Sequence, residues 1–164
     1  MNRIRFWHVI VVLALAFGIY SERHNLKSKL GMQSQAEVFD GCKDKERCIT
    51  AYVAPWCPVC KDNHPTFRLL DSYLAKRMPN VGFNLVIGAA KPEENAKEKE
   101  ILAPLNSVID DSGDIMKANA IEGFPTWIVR DREGKEIYRT AGGIRLAQEE
   151  EVGELLRLLK VQAN

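Results

Sequence analysis

Cys57-Pro58-Val59-Cys60 stands where a β-rich run stops and a helical pattern starts, and this joint limits the possible folds more than any other feature. Ile49 to Val53 reads Ile-Thr-Ala-Tyr-Val, a short strand that stops at Ala54-Pro55. After Cys57, the residues Phe67, Leu70 and Leu74 recur at i, i+3 and i+7. That spacing predicts a helix ending near Met78-Pro79 and kinked at Pro65. A sulfur at such a joint faces the unpaired N–H groups and the positive dipole end of a helix, which favour a thiolate. Two intervening residues let the second cysteine attack a mixed disulfide formed by the first. Pro58 falls in the first turn, where its missing N–H costs nothing, and Trp56 sets an apolar surface beside the sulfur. Cys57 is then the exposed attacking thiol and Cys60 the buried resolving one. Taken alone, C-x-x-C also fits two buried or metal-binding cysteines; the strand before it and the helix after it favour the redox pair.

The rest of the chain alternates. Val81 to Ile87 is a second apolar strand. Lys91 to Leu102 is Glu/Lys-rich with Pro92 near its start, the pattern of an exposed helix, and Glu93 to Glu100 reads as its solvated face. Asn106 to Ile109 fits a short strand and Asp111 to Asn119 a short helix. Thr126 to Val129 reads as a buried strand. Asp131-Arg132-Glu133-Gly134 supplies a turn with Gly where positive φ is wanted, and Lys135 to Thr140 pairs back as a hairpin. Leu146 to Leu159 closes the chain as a helix with apolar residues at 152, 155, 156 and 159. Strands separated by helices, then a hairpin and a last helix, predict a mixed α/β sheet. No internal repeat or low-complexity tract is present.

The N-terminus has a different character. Arg3 and Arg5 precede an uncharged run from Phe6 to Tyr20, and polar sequence resumes at Ser21. Fifteen residues at about 1.5 Å each reach roughly 22 Å, short of a ~30 Å hydrocarbon core unless Arg5 snorkels and the bilayer thins. Residues 1–21 therefore read as a signal-anchor, with a signal peptide cleaved after Ala14-Leu15-Ala16 as the rival and a buried soluble helix as the third alternative. Arg23, Lys27 and Lys29 follow the run, so the positive-inside rule is nearly balanced. Residues 22–35 read as a polar linker and 36–164 as the folded domain. A length of 164 residues suits one domain plus a tail, and a formal net charge of +1 gives no reason to expect nucleic acid as a partner.

The segment Trp56-Cys57-Pro58-Val59-Cys60-Lys61 with Pro65 resembles the active-site strand-turn-helix of the thioredoxin superfamily. Gly123-Phe124-Pro125-Thr126 resembles its cis-proline loop, and Gly142-Gly143 falls where that family has a glycine before its last helix. The resemblance covers about residues 37 to 161. Cys60 and Pro125 lie 65 residues apart, longer than in small cytosolic thioredoxins. With Asp111-Ser112-Gly113-Asp114 and Asp131-Arg132-Glu133-Gly134, that spacing looks like the membrane-anchored TlpA/ResA-like group. The resemblance implies a thioredoxin-like three-layer α/β/α sandwich with a central insertion, and a cis Phe124–Pro125 bond. It implies a substrate strand held by Trp56, Phe124, Pro125 and Thr126. The implied activity is protein thiol-disulfide exchange without a prosthetic group or metal, on protein disulfide or dithiol substrates, fed by a membrane or soluble electron donor. The implied location is a single-pass inner or cytoplasmic membrane protein with an extracytoplasmic (periplasmic) reducing domain, or a secreted form after cleavage. A disulfide-forming oxidase and a copper-binding or delivery module of the same fold are the alternatives. One departure stands out: thioredoxins carry a buried aspartate six residues before the first cysteine, and Ala51 occupies that position.

Cys42 and Cys48 would close a seven-residue loop, worth roughly 2 kcal/mol on the chain-entropy model. They read as a structural staple, with a relay pair feeding Cys57/Cys60, free thiols, or a four-cysteine zinc site as alternatives. His64 is expected as a solvated surface histidine and Lys61 as a surface charge. Lys61 stands where haem attachment needs His, and Ala54 where a peroxiredoxin-type site needs Thr.

Overall fold

The computed structural model describes residues 42–161; the expected anchor or signal peptide, the linker, and positions 36–41 and 162–164 lie outside the described residues. Five strands, β1 (Arg47–Val53), β2 (Val81–Gly88), β3 (Ser107–Asp110), β4 (Thr126–Asp131) and β5 (Glu136–Ala141), form one sheet. Their spatial order is β3-β2-β1-β4-β5. β1, β2 and β3 run parallel, while β4 is antiparallel to β1 and β5 to β4. Five helices accompany them among the described residues: α1 (Pro58–Asp62), α2 (His64–Arg77), α3 (Pro92–Leu102), α4 (Asp114–Ala118) and α5 (Glu149–Leu158).

Strand alternation decides what each face meets. Ile49, Ala51 and Val53 of β1 join Phe83, Leu85, Ile87, Trp127 and Val129 on one face, packed against Phe67, Leu70 and Leu74 of α2. Leu102 of α3 and Val152, Leu155 and Leu156 of α5 complete that core. Tyr52, Val86 and Ile128 point the other way, onto Ile115 of α4 and Ile121. Both faces are covered, so β2 is buried along its whole length, as a central parallel strand should be. Each large apolar side chain sunk in this way contributes about 1.5–3 kcal/mol.

Several expectations shift. The helix after Cys57 breaks at Asn63, two residues before Pro65. Proline has no N–H for the Lys61 carbonyl, and its ring crowds that carbonyl, so α1 stops and α2 restarts. The second hairpin strand lies one residue later than expected, with a register shift between Val129 and Arg130. The last helix begins at Glu149 rather than Leu146, with three glutamates in its first turn. The expected solvated face of α3 needs correction: Asn95, Glu98 and Leu102, spaced three and four apart, form a buried stripe. A second cis bond, Ala103–Pro104, was not foreseen.

The topology places the site. β1 ends at Val53 and leads into Ala54-Pro55-Trp56-Cys57, while antiparallel β4 begins beside it, with Thr126 opposite Tyr52. Residues 123–125 therefore lie next to the chain that carries Cys57.

Candidate active site

Cys57 is the N-cap of α1. Its sulfur accepts the Cys60 amide N–H at 3.3 Å, and its thiol donates to the Phe124 carbonyl at 3.6 Å. Negative charge developing on this sulfur meets a donor already in place. The residue keeps only 6% of its surface, against none for Cys60, so the expectation of an exposed Cys57 is corrected to a narrow opening. The Phe124 carbonyl and the start of α1 close around the sulfur. Both residues are free thiols in this structure.

The facing loop is bound from behind. The Phe124–Pro125 peptide is cis. Pro125 and Thr126 are buried, and the Thr126 hydroxyl donates to the Gly123 carbonyl at 2.6 Å, so it shapes the loop from inside. Phe124 is half-buried, with its ring edge-on to Trp56 at 5.5 Å and tilted against Tyr52 at 5.8 Å. Trp56 is 57% exposed and its indole N–H donates to the Ala89 carbonyl at 2.6 Å. Beside it opens a groove of about 480 Å³ whose lining includes Ala89, Lys91, Glu94, Asp111 and Gly113. Under Phe124, Tyr52 donates to Asp110 at 2.7 Å; burial and that carboxylate raise the phenol, so it holds its proton.

On the other flank the Gly142-Gly143-Ile144 segment lies on α1. The Asn63 side chain donates to the Val59 carbonyl and accepts the Ile144 N–H, both at 2.8 Å. A Cβ on Gly143 would come within 2.5 Å of the Val59 side chain, and Gly142 has φ of 107°, so both positions need glycine.

Cys60 is sealed. Burial pushes its thiol up to about 12; the Ala54 backbone works against this, and Cys57 and the charge of Glu98 add to it. Glu98, 3% exposed, accepts or shares a hydrogen bond with His64 Nε2 at 2.7 Å. The expectation of a solvated His64 is therefore corrected: its side chain is 18% exposed and paired. Lys61 is exposed, as expected.

Cys42 and Cys48 are joined by a disulfide, with Cα atoms 5.5 Å apart. Two of the alternatives end there, since neither thiol is free and a four-cysteine zinc site has lost half its ligands. Cys48 sits at the start of β1, and five residues at about 3.3 Å place it roughly 17 Å from the strand end that leads to Cys57. Direct exchange between the two pairs is out of reach within this domain. Among the described residues, no cluster of three or more His, Cys, Asp or Glu side chains is placed to hold a metal.

No protein-family model matches the chain, and no curated protein does. Solved structures do. StoA from Bacillus subtilis superposes with a TM-score of 0.55 at 21% identity, over 68% of this chain and 82% of its own. A secreted Mycobacterium tuberculosis disulfide oxidoreductase homologous to E. coli DsbE gives 0.53 at 18%, over 72% and 85%. The thioredoxin domain of a Bacteroides vulgatus thiol-disulfide oxidoreductase gives 0.51 at 23%, over 71% and 81%. The fold is thioredoxin-like.

Within that thioredoxin-like fold the structure brings Cys57, Cys60, Trp56, Phe124, Pro125 and Thr126 to one end of the sheet. Helix α3, β3 and α4 lie between β2 and β4 in the chain. The sequence reading missed Glu98, Asn63 and the Tyr52–Asp110 pair. For Glu98 a signal did exist, the spacing of Asn95, Glu98 and Leu102 on one side of a helix. Two of those three are polar, so apolar periodicity did not show it.

Proposed function

We propose that the chain is a protein thiol-disulfide oxidoreductase whose redox centre is Cys57/Cys60, working as a reductase outside the cytoplasm. The observation that carries it is the Cys57 sulfur held between the Cys60 N–H and the Phe124 carbonyl, beside the loop at Pro125. Cys57 as thiolate attacks one sulfur of a substrate disulfide; that S–S bond breaks, and the other substrate sulfur leaves as thiolate. Cys60 then attacks the Cys57 sulfur, releasing the second substrate thiolate and forming the Cys57–Cys60 disulfide. Two electrons have passed to the substrate, and an electron donor must return them.

The backbone of Phe124 offers an edge for an extended substrate segment, and Trp56 beside the groove supplies its apolar floor. Pro125 and Thr126 keep that edge in place. The bridged Cys42–Cys48 pair supports an oxidising compartment. The apolar run at 6–20 supports export by an anchor or a signal peptide; among the described residues no helix is long and apolar enough to cross a membrane.

Cys60→Ser removes the resolving thiol and leaves the attacking one. Incubated with a disulfide-bonded test protein, this variant accumulates a mixed disulfide at Cys57, seen as one added mass that reductant removes. Cys57→Ser gives no such adduct. An adduct formed equally well without Cys57 overturns the proposal.

A further inference from the structure

A ring of hydrogen bonds closes around the proposed redox centre, and one buried side chain completes it. The helix break leaves the Val59 carbonyl without its usual partner, because the Asn63 N–H, four residues on, bonds the Cys60 carbonyl at 3.0 Å instead. The Asn63 side chain fills the vacancy. Its Nδ2 donates to the Val59 carbonyl and its Oδ1 accepts the Ile144 N–H, both at 2.8 Å, and no part of the residue is exposed. Only this orientation of the amide satisfies both partners.

From Ile144 the ring leads back to the sulfur. Two residues earlier, Gly142 donates its N–H to the Pro125 carbonyl at 2.8 Å and accepts the Trp127 indole N–H at 3.1 Å. Pro125 follows Phe124, whose carbonyl faces the Cys57 thiol, and Cys57 caps the helix that carries Val59. Two other ties reach the same segment. Thr66 of α2 accepts the Leu146 N–H at 3.1 Å, and Arg145 pairs with Asp62 at 2.5 Å between exposed side chains. The first does not touch α1, and the second stands in water, where an ion pair holds little. Asn63 is the buried tie that reaches the backbone between the two cysteines.

We propose that Asn63 is a positioning residue that sets the gap between Cys57 and the Phe124 edge, and thereby favours disulfides flanked by extended peptide over small disulfides. This rests on the Cys57/Cys60 redox reading and adds a residue that selects its substrate class. A peptide strand must meet the Phe124 backbone and the Cys57 sulfur at once, so its reaction depends on the spacing between them. A small disulfide needs the sulfur alone.

The test compares two reagents on the reduced full-length protein: an unstructured peptide whose one cysteine carries thionitrobenzoate, and free cysteine carrying the same group. Each yields one coloured thiolate, and the ratio of the two rates measures the preference for peptide. Wild type should prefer the peptide. In Asn63→Ala the peptide rate should fall about tenfold, the scale of one lost hydrogen bond, with the cysteine rate within about twofold of wild type. Thr66→Val removes a tie that does not reach α1, and should lower the denaturant midpoint while keeping the preference. A preference retained in Asn63→Ala, absent from wild type, or lost equally in Thr66→Val overturns the proposal. Should Asn63→Ala fail to fold, Gly143→Ala strikes the same clasp from an exposed position, since its Cβ would come within 2.5 Å of the Val59 side chain and 2.8 Å of Asn63 Nδ2. Loss of the preference there supports the proposal, and its retention overturns it. A wild type inert to both reagents would instead strike the redox reading itself.

Discussion

The two cysteine pairs of this domain lie at opposite ends of one strand and in opposite states, one bridged and one free. Cys42 and Cys48 bracket the approach to β1, are bridged, and pack near Gly82, where an added Cβ would come within 2.9 Å of the Cys42 sulfur. Cys57 and Cys60 follow the other end of β1, remain thiols, and sit where a helix begins. Residue type is the same in both, and burial is similar. The difference is the backbone around the sulfur. One pair is enclosed by a turn and a strand start. The other has an N–H donor and a facing carbonyl at Cys57. Under the proposed function, the comparison ties the redox role to where a helix starts, not to cysteine pairing alone.

The sharpest way to break the comparison is to delete each pair in turn. Cys57→Ser should reduce disulfide exchange with a protein substrate to the uncatalysed level. The double variant Cys42→Ser/Cys48→Ser should keep its exchange rate while losing about 2 kcal/mol of stability, from a chain-entropy estimate for a seven-residue loop. Denaturant midpoints and exchange assays on the same samples separate the two effects. Loss of exchange in the folded double variant would merge the pairs into one system.

A smaller effect concerns the reduced pair only. The Cys60 thiol rises from its ordinary 9.0 to about 12 in the folded protein, chiefly through burial. The folded state thus holds this proton more firmly than the unfolded one. Its contribution is full below pH 9 and is lost as pH rises towards 12. The denaturant midpoint of the reduced protein should fall through that window, and less so in Cys60→Ala. Parallel falls in both proteins would show that burial of Cys60 is not the cause. The bridged pair does not titrate and contributes nothing there.

Much of the frame was readable in the chain before its structure. Phe67, Leu70 and Leu74, and later Val152, Leu155, Leu156 and Leu159, announce buried helix faces because apolar side chains repeat at the helical period. The Cys57 joint was legible because a strand, a cap and a proline-tolerant first turn each leave a local mark. The cis bond at Pro125 was expected from resemblance and is present. Glu98 and His64 were misjudged for a physical reason: a charged residue is buried only if a partner from elsewhere in the chain arrives, and no local pattern records that partner. The same holds for Asn63, whose role depends on Ile144, 81 residues later. The break at Asn63 instead of Pro65 is a boundary effect of the missing proline N–H.

A redox titration read by thiol-alkylation mass shifts tests the division of labour between the pairs most directly. Cys57/Cys60 should interconvert between dithiol and disulfide at a midpoint between roughly −270 and −120 mV, while Cys42–Cys48 stays closed to below about −300 mV. Opening of both pairs at one potential, or a Cys57/Cys60 pair that never closes, would contradict it.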